Sequence, residues 1–151
     1  MTVSECPPPQ GDQAQAPGSD SEWACSLRVM AMPRDTNQYG TIFGGVILSA
    51  IDQAAFVEAR RHGVHRWVTA SVDRVEFRQP VHVGDLVTCL TRTTRTGTSS
   101  ATVEVRVEAE RYERGQTVRV TEAQLTMVAI GPDGRPVPMS SPPTAHLPEK
   151  P

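Results

Sequence analysis

Apolar and polar positions along this chain follow two rhythms. Most of the stretch between residues 22 and 137 alternates with period two, and one segment is apolar at nearly every position. The clearest alternation is "SATVEVRVEAERY", where Val103, Val105, Val107 and Ala109 face one way and Thr102, Glu104, Arg106 and Glu108 the other. That is a strand with one buried and one wet face. Residues 23–32 repeat the pattern, with Cys25, Leu27, Val29 and Ala31 set against Ser26, Arg28 and Met30. "GDLVTCLTRTTRTG" predicts a strand that starts after Gly84 and Asp85, and "TVRVTEAQLTMVAI" predicts another. The segment "RWVTASVDRVEFRQP", residues 66–80, is also β-rich. Its apolar phase slips from Val68, Ala70 and Val72 to Val75 and Phe77, which predicts a bulge or sharp twist near Asp73 and Arg74.

Residues 45–62 break the alternation. They contain no proline and are long enough for a helix. The expected order is therefore strand, helix, then four strands. Turn signals at Gly97 and at Arg114 and Gly115 join the later strands as hairpins. The predicted architecture is α+β, an antiparallel sheet packed on a single helix.

The helix is greasy on most of its circumference. Val46, Ile47, Leu48, Ala50, Ile51, Ala54, Ala55, Phe56, Val57 and Ala59 leave little room for a wet back. Ser49, Asp52, Gln53 and Arg60 gather near one face, and Glu58 stands apart from them. A solvated stripe is the plain explanation of that face. However, Asp52 lies inside the apolar stretch, where a carboxylate must reach a wet cleft or bear a desolvation cost of several kcal/mol. At the helix start, Gly44 and Gly45 let another group approach the first free backbone N–H groups, where the helix dipole favours negative charge. Such a place suits an oxygen on which negative charge develops.

One helix cannot aim both features at the same carbonyl. Asp52 follows Gly45 by seven residues, about 10 Å along the axis at about 1.5 Å per residue. An attacking group and an oxyanion hole must both lie within ~3 Å of one reacting carbon. Two antiparallel helices from two copies of the chain satisfy that condition and form two equivalent sites. Pairing would also cover the helix on its remaining side.

Composition narrows the picture further. The 151 residues suit one domain, and the formal net charge of −2 offers no electrostatic reason to expect nucleic acid. No apolar run approaches the ~18–20 residues of a membrane span, and the first residues do not read as a secretory signal. Cys6, Cys25 and Cys89 lack CxxC spacing, so we expect reduced thiols in a cytoplasmic protein rather than a disulfide framework or zinc site. Proline crowds both ends of the chain. Residues 1–21 and 138–151 are accordingly expected to be disordered extensions around a domain at residues 22–137.

Three segments together carry a family resemblance: "MPRDTNQYGTIFGGVILSAID", "VTASVDRVEFRQPVHVGDLV" and "GTSSATVEVRVEAE". In order and spacing they resemble the hotdog-fold acyl-CoA thioesterase (acyl-CoA hydrolase) family. The resemblance implies a curved antiparallel sheet wrapped around one long central helix. It implies a dimer as the working unit, with hexamers of three dimers common. The implied activity is hydrolysis of acyl-CoA to a free acid and CoA, without a metal or separate cofactor. Asp52 takes the place of the family's catalytic aspartate and Asn37 that of the asparagine of the "DTN" loop. Gly44 and Gly45 occupy the helix start that polarises the thioester. Asp52 would either activate water or attack directly to form a mixed anhydride, and both routes stay open.

The CoA handle would meet strand backbone at Val68, Thr69, Ala70 and Ser71, since an extended pantetheine can pair with an edge. It would also meet the turn containing Gly97, Thr98 and Ser99, with Arg95 beside it for phosphate. Arg74, Arg78 and Arg92 are further candidates for the phosphates, although exposed arginines also simply keep sheet faces soluble. His62, His65 and His82 are read as loop or surface residues. The alternative function is a non-catalytic acyl-CoA-binding hotdog module acting as sensor or regulator. A dehydratase on the same fold is disfavoured because residues 45–61 contain no histidine. A purely structural oligomer would leave Asp52 unexplained.

Overall fold

The computed structural model describes residues 23–146. The expectation for residues 1–21, and for the last part of the C-terminal extension, lies outside the described residues. Strand β1 spans Ala24–Met30, helix α1 Gly44–Ala59, β2 Arg66–Asp73, β3 Leu86–Thr96, β4 Ser100–Glu110 and β5 Thr117–Ile130. Short 3-10 turns cover Pro33–Asp35 and Arg60–His62. The strands form one antiparallel sheet in the order β1-β3-β4-β5-β2. This is the α+β arrangement expected from the two rhythms.

The alternation of β4 is realised in full. Val103, Val105, Val107 and Ala109 are all buried, together with Val87 and Cys89 of β3 and Leu125 and Met127 of β5. Against them pack Ile47, Ala50, Ile51, Ala54, Ala55 and Ala59 of α1. The alanines let the helix axis approach the sheet closely, and each buried branched side chain contributes roughly 1.5–3 kcal/mol. The opposite face of the sheet is wet and charged. Arg92 pairs with Glu104 at 2.7 Å and Arg106 with Glu122 at 3.1 Å. Both guanidinium groups flank the Trp23 ring, at 4.5 and 4.2 Å from its centre. This accounts for the arginines of β3 and β4 as a solvated ladder.

Three expectations need correction. The irregularity in β2 lies at Ala70, where Thr69 pairs with Met127 and Ser71 with Thr126, and not at Asp73 and Arg74. At the latter position the strand ends: Arg74 has φ of 46° and the chain leaves the sheet. The slip in apolar phase marked the strand's end, because Val75 turns in to pack on the core from an irregular segment. Second, residues 138–146 are not a free tail. They fold back along the sheet, with Met139 N–H donating to Thr98 O and Thr144 N–H to Val64 O. Third, Cys25 is disulfide-bonded, so the reduced-thiol expectation does not hold for it. Cys89 is free and buried, and burial pushes its thiol pKa up to about 12.

One face of the molecule is left uncovered. Val46, Leu48, Phe56 and Val57 of α1 are exposed, as are Val68 and Val72 on β2. β2 is an edge strand, so among the described residues no further strand pairs with its outer side.

Candidate active site

Asp52 lies on that uncovered helix face, in line with Ser49, Gln53 and Arg60, all of them exposed. The Gln53 side chain donates to Ser49 Oγ at 3.1 Å, along the same face. One carboxylate oxygen of Asp52 accepts a short hydrogen bond from the Thr69 hydroxyl. Thr69 immediately precedes the β2 bulge. An extra residue there changes which way the following side chains point, a device common beside functional sites. Thr69 also lies 3.5 Å from Met127 Sδ, so its rotamer is held from below.

The start of α1 is bare. Phe43 precedes it without a capping side chain, and its first turn holds no acidic residue. Phe43 N–H is taken by Asp35 O and Val46 N–H by Phe43 O. A Cβ added at Gly45 would meet nothing within 4 Å, so packing does not demand glycine there. Its effect is to leave the helix start open to an approaching group. Beside it lies an open, largely apolar groove of about 380 Å³, bounded by Ile42, Ile47, Phe77, Pro80 and Val81.

Asn37 occupies the loop that leads into the helix. Its Oδ1 accepts from Tyr39 N–H at 2.9 Å and Thr41 N–H at 3.2 Å, while its Nδ2 donates to Thr41 Oγ1 at 2.9 Å. The acceptor is filled by the loop and one amide hydrogen is left over. The loop is fixed in turn by bridges from Thr36 to Ile42 and from Thr41 to His82.

The structure thus brings Asp52 and Thr69 together and places Val68, Ala70 and Ser71 along the same edge strand. It does not bring Asp52 to Gly45 within one chain. Arg95, Gly97, Thr98 and Ser99 lie at the far end of β3, close to the start of β2. Among the described residues no carboxylate pairs with Arg95, whereas Arg74 pairs with Glu76 and Arg92 with Glu104. No group of three or more His, Cys, Asp or Glu among the described residues is placed to hold a metal ion. No described helix is long and apolar enough to cross a membrane.

Two polar clusters escaped the reading of the sequence. Glu58 is only 6% exposed and accepts from Thr91 Oγ1 at 2.9 Å, Thr93 Oγ1 at 3.0 Å and Arg61 at 2.9 Å. The signal was present: Glu58 follows Ala54 by four residues, on the buried stripe, and Thr91 and Thr93 continue the inward phase of Cys89. The second cluster is Asp85, buried, which accepts from His82 N–H at 2.9 Å and pairs closely with Arg111. His65 was read as a loop or surface residue. It precedes β2 but is buried, with its ring against Met139 O and Thr144 Oγ1.

Known proteins share this chain's sequence pattern and fold. Residues 39–115 match the family model described as the thioesterase superfamily. The chain is 39% identical over 116 residues to the acyl-CoA thioester hydrolase YciA of Salmonella typhimurium, covering 75% of this chain and 87% of that protein. Among solved structures, a hexameric hotdog fold thioesterase of Campylobacter jejuni superposes with a TM-score of 0.72 at 42% identity, over 77% of this chain and 90% of the other. A hexameric thioesterase from Yersinia pestis superposes with a TM-score of 0.73 at 40% identity, over 79% and 97%. The single helix and five-stranded antiparallel sheet are accordingly the hotdog fold. With its fold, the bulk of its core and the stretch from the helix-entry loop to the β4–β5 turn all matched, this chain belongs to the thioesterase superfamily.

Proposed function

We propose that this protein hydrolyses acyl-CoA thioesters to a free acid and CoA, at sites formed between two copies of the chain. The observation that carries the reading is the uncovered face of α1. A bare helix start and a carboxylate held by Thr69 sit on one helix whose outer face is uncovered and carries Val46, Leu48, Phe56 and Val57, about 10 Å apart by helix rise. Neither completes a site alone. An antiparallel second helix would set each beside the other, and it would bury Val46, Leu48, Phe56 and Val57 in doing so.

In that arrangement the thioester oxygen accepts hydrogen bonds from the N–H groups at Gly44 and Gly45. The partner copy's carboxylate, equivalent to Asp52, attacks the carbonyl or takes a proton from an attacking water. Thiolate is a good leaving group, so no strong general acid is required. Asn37 has only a donor left, and its role is therefore to donate to the water or the thioester oxygen. The acyl chain lies in the apolar groove bounded by Phe77, and the pantetheine runs along Val68, Thr69, Ala70 and Ser71. The phosphates then meet Arg95 and the turn of Gly97, Thr98 and Ser99. The relatives' hexamers favour assembly of three such dimers.

The test is release of CoA, followed with a thiol-reactive dye across short, medium and long acyl-CoAs. Asp52→Asn should abolish release while the oligomer measured by light scattering is retained. Wild-type turnover in that variant would remove Asp52 from the site. Tight CoA binding without any release would favour a sensor.

A further inference from the structure

The C-terminal segment 138–146 joins two elements that the proposed function assigns to the CoA handle. Met139 N–H donates to Thr98 O at 2.9 Å, on the β3–β4 turn. Five residues later the same segment reaches the start of β2. Thr144 N–H and Ala145 N–H both point at Val64 O, at 3.1 and 3.3 Å, and the Arg66 guanidinium donates to His146 O at 3.0 Å.

The pin between these ends is His65 with Thr144. His65 is 2% exposed, and its Nε2 lies 3.0 Å from Met139 O. A carbonyl only accepts, so Nε2 carries the hydrogen. Its Nδ1 meets Thr144 Oγ1 at 3.3 Å. That hydroxyl accepts from Arg66 N–H at 3.0 Å and gives its single hydrogen to Ile130 O at 2.8 Å, so Nδ1 packs against it without a hydrogen of its own in the contact. One hydroxyl thus ties the ends of β2 and β5 and the tail together. The fit is close: a Cβ at Gly63 would lie 2.7 Å from the His65 ring. Trp67 packs edge-on to that ring at 6.1 Å, with its indole N–H on Gly63 O.

We propose that His65 and Thr144 are positioning residues for the CoA handle. They hold segment 138–146 as a strap between the β3–β4 turn and the leading end of β2. An edge strand has a neighbour on one side only, and beyond its own strands this turn is met by β5 through Ala129 N–H to Ser99 O. The strap supplies both with extra backbone partners, fixing the distance between Arg95 with the turn and Val68 to Ser71. This inference rests on the reading of those residues as the CoA subsite.

The test compares two substrates of one acyl group: acyl-CoA, and the N-acetylcysteamine thioester, which lacks the adenosine and phosphates. Thr144→Val removes the hydroxyl at nearly constant volume. KM for acyl-CoA should rise roughly three- to tenfold with kcat nearly unchanged, as expected for loss of one or two hydrogen bonds that act on binding. KM for the short thioester should stay at the wild-type value, and Thr144→Ser should restore KM for acyl-CoA. An equal rise for both substrates, or no rise for either, overturns the inference. If the unaltered protein releases no CoA, the catalytic reading fails instead. Binding of free CoA then tests the strap: weakening in Thr144→Val supports it and unchanged affinity overturns it.

Discussion

Replacing Thr69 by valine should separate folding from chemistry at the candidate site. The change swaps a hydroxyl for a methyl group and removes the only hydrogen bond that holds the Asp52 carboxylate among the described residues of its own chain. Stability should hardly respond. Asp52 is exposed, so water replaces the lost donor, and valine is at least as good a strand residue as threonine. We expect a loss below about 1 kcal/mol, and a fall in Tm of no more than a few degrees. Turnover should respond much more. In a site closed by a second copy, an unanchored carboxylate samples rotamers that do not face the thioester. A hydrogen bond to a charged group contributes about 1.5–3 kcal/mol, which corresponds to a fall in kcat of roughly ten- to a hundredfold. Stopped assays of CoA release give kcat, and calorimetry gives Tm. Thr69→Ser should keep most of the activity. Adding Thr69→Val to Asp52→Asn should cost nothing further, because the hydroxyl acts through the carboxylate. Wild-type kcat in Thr69→Val, with the oligomer intact, would refute the idea that this hydrogen bond aims the acid.

Gly45→Ala should leave stability unchanged or raise it by up to ~1 kcal/mol, since a Cβ there meets nothing and alanine favours helix; kcat/KM should fall because the methyl group crowds the helix start, and equal activity would argue against substrate approach at that point. Glu58→Ala should cost about 2–4 kcal/mol in chemical denaturation, with Glu58→Gln costing less, because the carboxylate is buried against Thr91, Thr93 and Arg61; a loss under about 1 kcal/mol would mean the cluster relaxes around water. Cys89 should resist thiol reagents in the native protein at pH 8 and react on unfolding, since its pKa is raised to about 12 by burial. The sign of the accompanying pH effect follows. The unfolded thiol ionises from its ordinary value of 9.0 while the folded one stays protonated until about 12, so its contribution to stability is full below pH 9 and declines between there and about 12. Denaturation midpoints measured across that range in wild type and Cys89→Ala would reveal it as a difference between the two.

Much of the site was legible in the chain because its signals are local. Period-two alternation marks β4 whatever surrounds it. A carboxylate at Asp52 within an apolar helix is anomalous on its own terms, and glycines at 44 and 45 announce an open helix start. The misplaced bulge has a physical cause as well. Phase slips in a sequence report that the inward side has changed, but a bulge and a strand end produce the same slip. The sheet resolves the ambiguity: Ala70 is the residue left without a partner opposite β5, and Arg74 takes a backbone conformation that no strand continues.

The linear order of residues was enough to establish one helix and five strands and the buried face of β4, and to single out the acid and the helix start of the candidate site. Those depend on spacing within a dozen residues, which the backbone geometry of each element imposes. The tertiary fold settled what depends on distant meetings. Glu58 is buried because Thr91, 33 residues away, offers it a hydroxyl. His65 is buried because Thr144 returns across 79 residues to cover it, and residues 138–146 are held for the same reason. Such partnerships carry no period, so nothing short of the packed chain can reveal them.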